Sequence, residues 1–120
     1  MRVFNKVESG FTLVEILIVV AVIGLLISIA VPNFAKTRKV AQANICVENL
    51  MQIESAKQMW ALETLKADGD PVEPDNLIGM TLYIKKTPEC PSGGEYDYNV
   101  VGTNAFCSFG NQVTPPHVLE

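Results

Sequence analysis

Two hydrophobic patterns follow one another along the chain. From Phe11 to Val31 the sequence FTLVEILIVVAVIGLLISIAV is apolar on every side, and only Thr12, Glu15, Gly24 and Ser28 fall outside the strongly apolar set. A helix that is apolar all round belongs in lipid or in the core of something larger. At about 1.5 Å per residue this run covers roughly 30 Å, one hydrocarbon thickness. From about Ala35 to Lys66 the pattern becomes amphipathic. Ala43, Cys46, Val47, Leu50, Ile53, Trp60, Ala61 and Leu65 recur at spacings of three and four, with Lys57 interrupting the stripe. Gln42, Glu48, Gln52, Ser55 and Glu63 fall largely on other faces. The two patterns predict one long helix over 11–66, transmembrane over 11–31 and amphipathic over 35–66. Pro32 lies between them and predicts a kink or local melting, because proline removes a helix hydrogen bond. A helix this long cannot be buried by the rest of so small a chain, so its apolar surface requires other chains.

The remainder reads as a small head over 67–120. Gly69, Pro71 and Pro74 in ADGDPVEPDN end the helix. DNLIGMTLYIKK predicts a short helix with Asp75 as N-cap and Lys85 and Lys86 near its end. EYDYNVV (Glu95–Val101) and AFCSF (Ala105–Phe109) read as two strands joined at GTN, with a further short strand at Gln112–Val113. The fold class is therefore α+β: a long N-terminal helix packed against a head with a short helix and an antiparallel hairpin.

Charge and motifs narrow the chemistry. The net charge of −4 gives no argument for direct nucleic-acid binding. No Gly-rich phosphate loop, HExxH, CxxC or GxSxG motif is present, so no catalytic residue and no enzyme activity are expected. Cys46, Cys90 and Cys107 leave one cysteine over if two pair. With His117 they lie 44, 17 and 10 residues apart, without the short Cys-x2-Cys pairs that anchor structural zinc, so no metal site is expected. Asp68, Asp70, Glu73 and Asp75 begin like a calcium loop, but two prolines intervene and no closing Glu follows. Linker acids and a helix cap are the favoured reading, with calcium the lesser alternative; no cofactor is expected. Glu48, Glu54, Lys57 and Lys66 read as a solvated helix face. The aromatics Trp60, Tyr83, Tyr96, Tyr98, Phe106 and Phe109 read as core packing.

The acid inside the apolar run is the sharpest feature. A charge at membrane depth costs about 3 kcal/mol on insertion scales, so it calls for a partner or a role. Residues 1–10, MRVFNKVESG, form a polar leader made basic by Arg2 and Lys6 and closed by Gly10. An ordinary secretory signal has its small-residue junction after a shorter apolar run, whereas here the junction precedes it. A cut after Gly10 would keep the span and create a free amine at Phe11, one helical turn from Glu15. That amine, on a neighbouring helix shifted along the axis, would be a suitable ion-pair partner. Basic residues near the span, Arg2 and Lys6 before it and Lys36, Arg38 and Lys39 after it, leave orientation unsettled.

The segment GFTLVEILIVVAVIGLLISIAVP, with its basic leader, Gly10, Phe11, Glu15, Gly24 and Pro32, resembles the N-terminus of type IV pilins and type II secretion pseudopilins. The resemblance covers about a quarter of the chain. It implies a prepilin peptidase cut between Gly10 and Phe11, N-methylation of Phe11 and pairing of Glu15 with a neighbour's new amine during assembly. It places the leader in the cytoplasm and the head outside. Pro32 matches the position where filament subunits lose helical order. The implied partners are further copies in a homo-oligomeric filament, an assembly ATPase, inner-membrane platform proteins and, before assembly, membrane lipid. The filament would be a periplasmic pseudopilus or a cell-surface pilus. The head is shorter than in many pilins closed by a C-terminal disulfide loop. For the cysteines, Cys90–Cys107 is the favoured pair, since the glycines of PSGG let the chain fold back toward the hairpin. Cys46–Cys90 and Cys46–Cys107 stay open. An alternative outside the family is a monomeric, single-pass membrane-anchored binding domain.

Overall fold

A computed structural model describes Val3 and residues 9–120. Arg2 and Lys6, the basic residues of the leader, lie outside the described residues. Helix α1 runs Leu13–Thr64 without interruption. Pro32 is inside it, so the break expected there is not found in this chain. Proline removes one rung of the hydrogen-bond ladder, and the turns on either side keep theirs. The helix stops because Leu65 takes a left-handed conformation (φ 53°) and the Lys66 N–H returns to the Ala61 carbonyl at 2.9 Å. This is a six-to-one C-terminal closure with leucine where glycine is usual.

The chain divides into two compact units, Met1–Lys36 and Thr37–Glu120. In the first, every described residue from Ser9 to Lys36 is exposed, including Phe11, Leu17, Leu25 and Phe34. Among the described residues of this unit, the apolar run buries no side chain.

The second unit holds the core. Ala43, Cys46, Leu50, Ile53, Ala56, Trp60 and Ala61 form the buried stripe of α1. All of these but Ala43 cluster with Val72, Leu77, Ile84, Tyr98, Val101, Ala105 and Cys107 from the head. Leu65, expected on the stripe, lies past the helix end and is 91% exposed.

The head is less regular than its sequence predicts. Helix α2 is only Pro74–Leu77; Glu73 occupies the N-cap and proline the first turn, which moves Asp75 inside the helix. Beyond it the chain doubles back, with Ile84 N–H to the Leu77 carbonyl and Gly79 N–H to the Ile84 carbonyl, each at 2.9 Å. Strands β1 (Tyr96–Asp97) and β2 (Phe106–Cys107) are antiparallel, pairing Tyr96 with Cys107 and Asp97 with Phe106. β1 ends early because Asn99 is left-handed (φ 55°), its N–H held by the Asp97 carboxylate at 2.8 Å. The strand expected at Gln112–Val113 is replaced by a 3-10 turn over Gly110–Gln112. The result is an α+β unit whose sheet, among the described residues, has two-residue strands, so packing onto α1 carries most of its order.

Candidate functional site

The N-terminal segment is organised by a reciprocal cap. Thr12 precedes the helix, and its Oγ1 accepts the Glu15 N–H at 3.2 Å. The Glu15 Oε2 accepts the Thr12 N–H at 3.4 Å. This is a capping box, in which two helix-end donors are satisfied by side chains three residues apart. The sequence pattern Thr-x-x-Glu before an apolar run is the signal for it. The box turns the Glu15 carboxylate toward the helix N-terminus, on the side of Gly10 and Phe11. A carboxylate there also interacts favourably with the positive end of the helix dipole. Gly10 and Phe11 are exposed, and nothing lies within 4 Å of a Cβ built at Gly10.

A second constellation lies in the other unit. Cys46 comes from α1, Cys90 from the loop before PSGG, Cys107 from β2 and His117 from the C-terminal tail. All four are buried, at 0%, 6%, 1% and 3% exposure. Their sulfur and ring-nitrogen atoms all lie within 4.8 Å of one another. The Cys90 Sγ stands 3.6 Å from the His117 Nδ1. Cys90 and Cys107, expected to form a disulfide, stand as free thiols, as does Cys46. The long sequence spacings that argued against a metal are closed by the fold. His117 is brought in by its backbone N–H to the Gly110 carbonyl at 2.8 Å and by edge contact with Phe109, 6.3 Å between centroids.

The loop bearing Cys90 is pinned to α1 by polar contacts. Asn49 Nδ2 donates to the Glu89 carbonyl and to the Tyr96 hydroxyl, both at 3.0 Å. Burial pushes the Cys46 thiol up to about 12, while the Tyr96 hydroxyl bound to it pulls the other way. Burial acts upward on Cys90 as well, but N–H donors from Ser92 and Gly94 and the Cys46 thiol bring it below the ordinary thiol value. Gly94 is required by space: a Cβ there would stand 2.6 Å from the Cys107 Sγ and 2.8 Å from the Phe109 ring.

Lys57 is not on a solvated face. It is 1% exposed, and its Nζ donates to Glu54 Oε1 at 2.8 Å and to the carbonyls of Tyr98 and Thr103 at 2.8 and 2.6 Å. Glu54 Oε1 also accepts the Ala105 N–H at 2.5 Å. The expectation that Glu54 and Lys57 are solvated is therefore corrected. The interruption of the apolar stripe at Lys57 was the available signal, since a charge on a buried stripe must find partners. Of the linker acids, Asp70 uses its carboxylate on the Ala67 N–H at 3.0 Å. Among the described residues, the Cys46, Cys90, Cys107 and His117 group is the one cluster of metal-competent side chains.

Residues 5–31 match the family described as the prokaryotic N-terminal methylation motif. The chain is 31% identical to the type II secretion system core protein G of Vibrio cholerae over 103 residues, covering 76% of this chain and 70% of that protein. It is 32% identical to core protein G of Escherichia coli K12, covering 80% of this chain and 74% of that protein. The type IV major pilin protein PilA of Myxococcus xanthus is 32% identical over 97% of this chain, which spans 48% of that pilin's length. No solved structure matches the chain.

Proposed function

This chain belongs to the family of type II secretion pseudopilins and type IV pilins, and we propose the following course for it as a filament subunit. It is made as a membrane-anchored precursor with the leader in the cytoplasm and the head outside. Prepilin peptidase cuts between Gly10 and Phe11, and Phe11 is N-methylated. The apolar run then leaves the inner membrane as an assembly ATPase and platform proteins add the subunit to the filament base. There it becomes filament core. The structural subunit acts by polymerising and needs no catalytic group of its own.

The observation that carries this reading is the pairing of an exposed apolar run at the start of α1 with a carboxylate aimed at the helix N-terminus. Before assembly, Glu15 caps the helix through Thr12. After the cut, the Phe11 amine of a neighbouring subunit offers a full positive charge, a stronger partner than a neutral N–H. Exchange of one for the other sets axial register. Loss of helical order at Pro32 belongs, on this reading, to the filament rather than the free chain.

Glu15→Ala should insert in membranes at normal level yet give few filaments by electron microscopy. Wild-type filament yield from that variant would remove the register role. Gly10→Glu should remain at precursor mass; mass spectrometry finding a mature chain that begins elsewhere would remove the cleavage site. The likeness to core protein G favours a short periplasmic pseudopilus. The match to PilA along 97% of this chain supports a surface pilus as the second reading, and filaments on the native cell surface would select it.

A further inference from the structure

We infer that Cys46, Cys90, Cys107 and His117 form a closed tetrahedral zinc site that ties the hairpin and the C-terminal tail to α1. Three thiolates and one imidazole make a recognised structural zinc set. The donor number, four, fills zinc's coordination and leaves no open position, so the role is structural.

The geometry is close to metal-ready. With zinc–sulfur and zinc–nitrogen bonds of about 2.3 and 2.0 Å, tetrahedral edges come to roughly 3.5–3.8 Å. The Cys90 Sγ to His117 Nδ1 separation is 3.6 Å. The widest separation within the group is no more than 4.8 Å, so closing onto an ion asks for side-chain adjustment rather than backbone movement. Binding displaces the thiol protons to solvent, with no oxidation or reduction.

The surroundings fit the same occupant. The loop bearing Cys90 is fixed by the Gly93 N–H to the Cys90 carbonyl at 2.9 Å and by Asn49 Nδ2 to the Glu89 carbonyl at 3.0 Å. Hydrogen bonds around the ligands orient them for a metal. The absent side chain at Gly94 leaves the room that Cys107 occupies. A disulfide would use two of the three sulfurs and leave a buried thiol and a buried imidazole unaccounted for. Zinc accounts for all four. Iron–sulfur clusters are held by four cysteines, or by two cysteines and two histidines, neither of which matches this set. The head also needs a staple: its sheet has two-residue strands, and domains this small commonly rely on a metal or disulfides. The site stands apart from the filament reading and rests on none of it.

The test uses the full-length chain, purified in detergent without chelators or reductant. Mass-spectrometric metal analysis should find about one zinc per chain, and the alkylated intact mass should show three thiols and no disulfide. Exchange with Co²⁺ should give sulfur-to-cobalt charge transfer and the intense visible bands of a tetrahedral ion. Cys46→Ser and His117→Ala should each weaken Zn²⁺ binding about 10-fold or more in chelator competition. His117 lies on the tail, so its variant keeps the test open if Cys46→Ser does not fold. A metal-free protein, a Cys90–Cys107 disulfide in the isolated chain, octahedral cobalt spectra, or unchanged Zn²⁺ affinity in both variants would overturn the assignment.

Discussion

Helix α1 is one element with two regimes of burial. Through Lys36 each of its residues is exposed and apolar residues dominate. Beyond Gln42 the same helix buries Cys46, Leu50, Ile53, Lys57 and Trp60 within its own chain. The first half contains one acid, held at the helix end by a local cap. The second half contains a buried ammonium held by residues more than forty positions away. The difference separates two uses of hydrophobic surface. In the head, burial stabilises the folded chain. In the N-terminal half, about 25 cal/mol per Å² of apolar surface remains to be gained from lipid or from other subunits. Changes in the two halves should therefore report on different measurements.

The largest contrast is at Lys57. Lys57→Ala leaves the Glu54 carboxylate and the carbonyls of Tyr98 and Thr103 without their shared donor. Breaking such a buried pair should lower head stability by about 3–5 kcal/mol, followed by Trp60 fluorescence in denaturant. Next, Leu50→Ala at a fully buried position should cost about 2–5 kcal/mol by the same measurement. Leu17→Ala, at an exposed position of the same helix, should leave the denaturation midpoint in place and lower only filament yield. If Leu17→Ala destabilised the head as much as Leu50→Ala, the separation of the two halves would fail.

These sites also mark what was legible in the sequence. The N-terminal half was readable because its information is local: an all-round apolar run, a junction and an acid within a few residues. The amphipathic stripe was readable by its period, down to the misfit at Lys57. Its partners were not, because backbone carbonyls at Tyr98 and Thr103 have no sequence signature. The cysteine cluster failed for a related reason. Spacing rules for zinc capture ligands on one small motif, whereas here a helix, a loop, a strand and a tail each supply one. The strands came out shorter than their alternation predicted because Asn99 adopts a left-handed turn that alternation does not register.

Smaller effects sharpen the picture inside the head. Gly94→Ala forces a methyl group to within 2.6 Å of the Cys107 Sγ and should cost about 1–3 kcal/mol through overpacking. Gly93→Ala would test a different penalty, since Gly93 has φ 85° but no atom near its Cβ position. The two should differ in thiol reactivity, with only Gly94→Ala exposing Cys107.

Alkaline pH probes the same core through Tyr98. Burial raises its phenol above the ordinary value of 10.0. The folded state thus holds the proton longer than the unfolded state. Its contribution to stability is fully present below pH 10 and is lost as the pH rises from there through the folded value. Within that window stability should fall by up to about 1.4 kcal/mol per pH unit for this group. Tyr98→Phe should flatten that decline in denaturation midpoints above pH 10, and an unchanged slope would exclude Tyr98 as its source.

The smallest effect lies where the helix ends. Leu65 holds φ 53° at the C-terminal closure of α1 and is 91% exposed, so its side chain contributes little packing. A left-handed L-residue costs about 1–2 kcal/mol, and glycine removes that cost while adding some unfolded-state entropy. Leu65→Gly should therefore raise head stability by about 0.5–1 kcal/mol. The closure itself, from the Lys66 N–H to the Ala61 carbonyl, needs no side chain at position 65. A gain in the denaturation midpoint with filament yield unchanged would place the helix end wholly within the head's own stability. A lower midpoint would mean that the unfolded-state entropy glycine adds exceeds the strain it relieves, and a fall in filament yield alone would mean that Leu65 is covered in the filament.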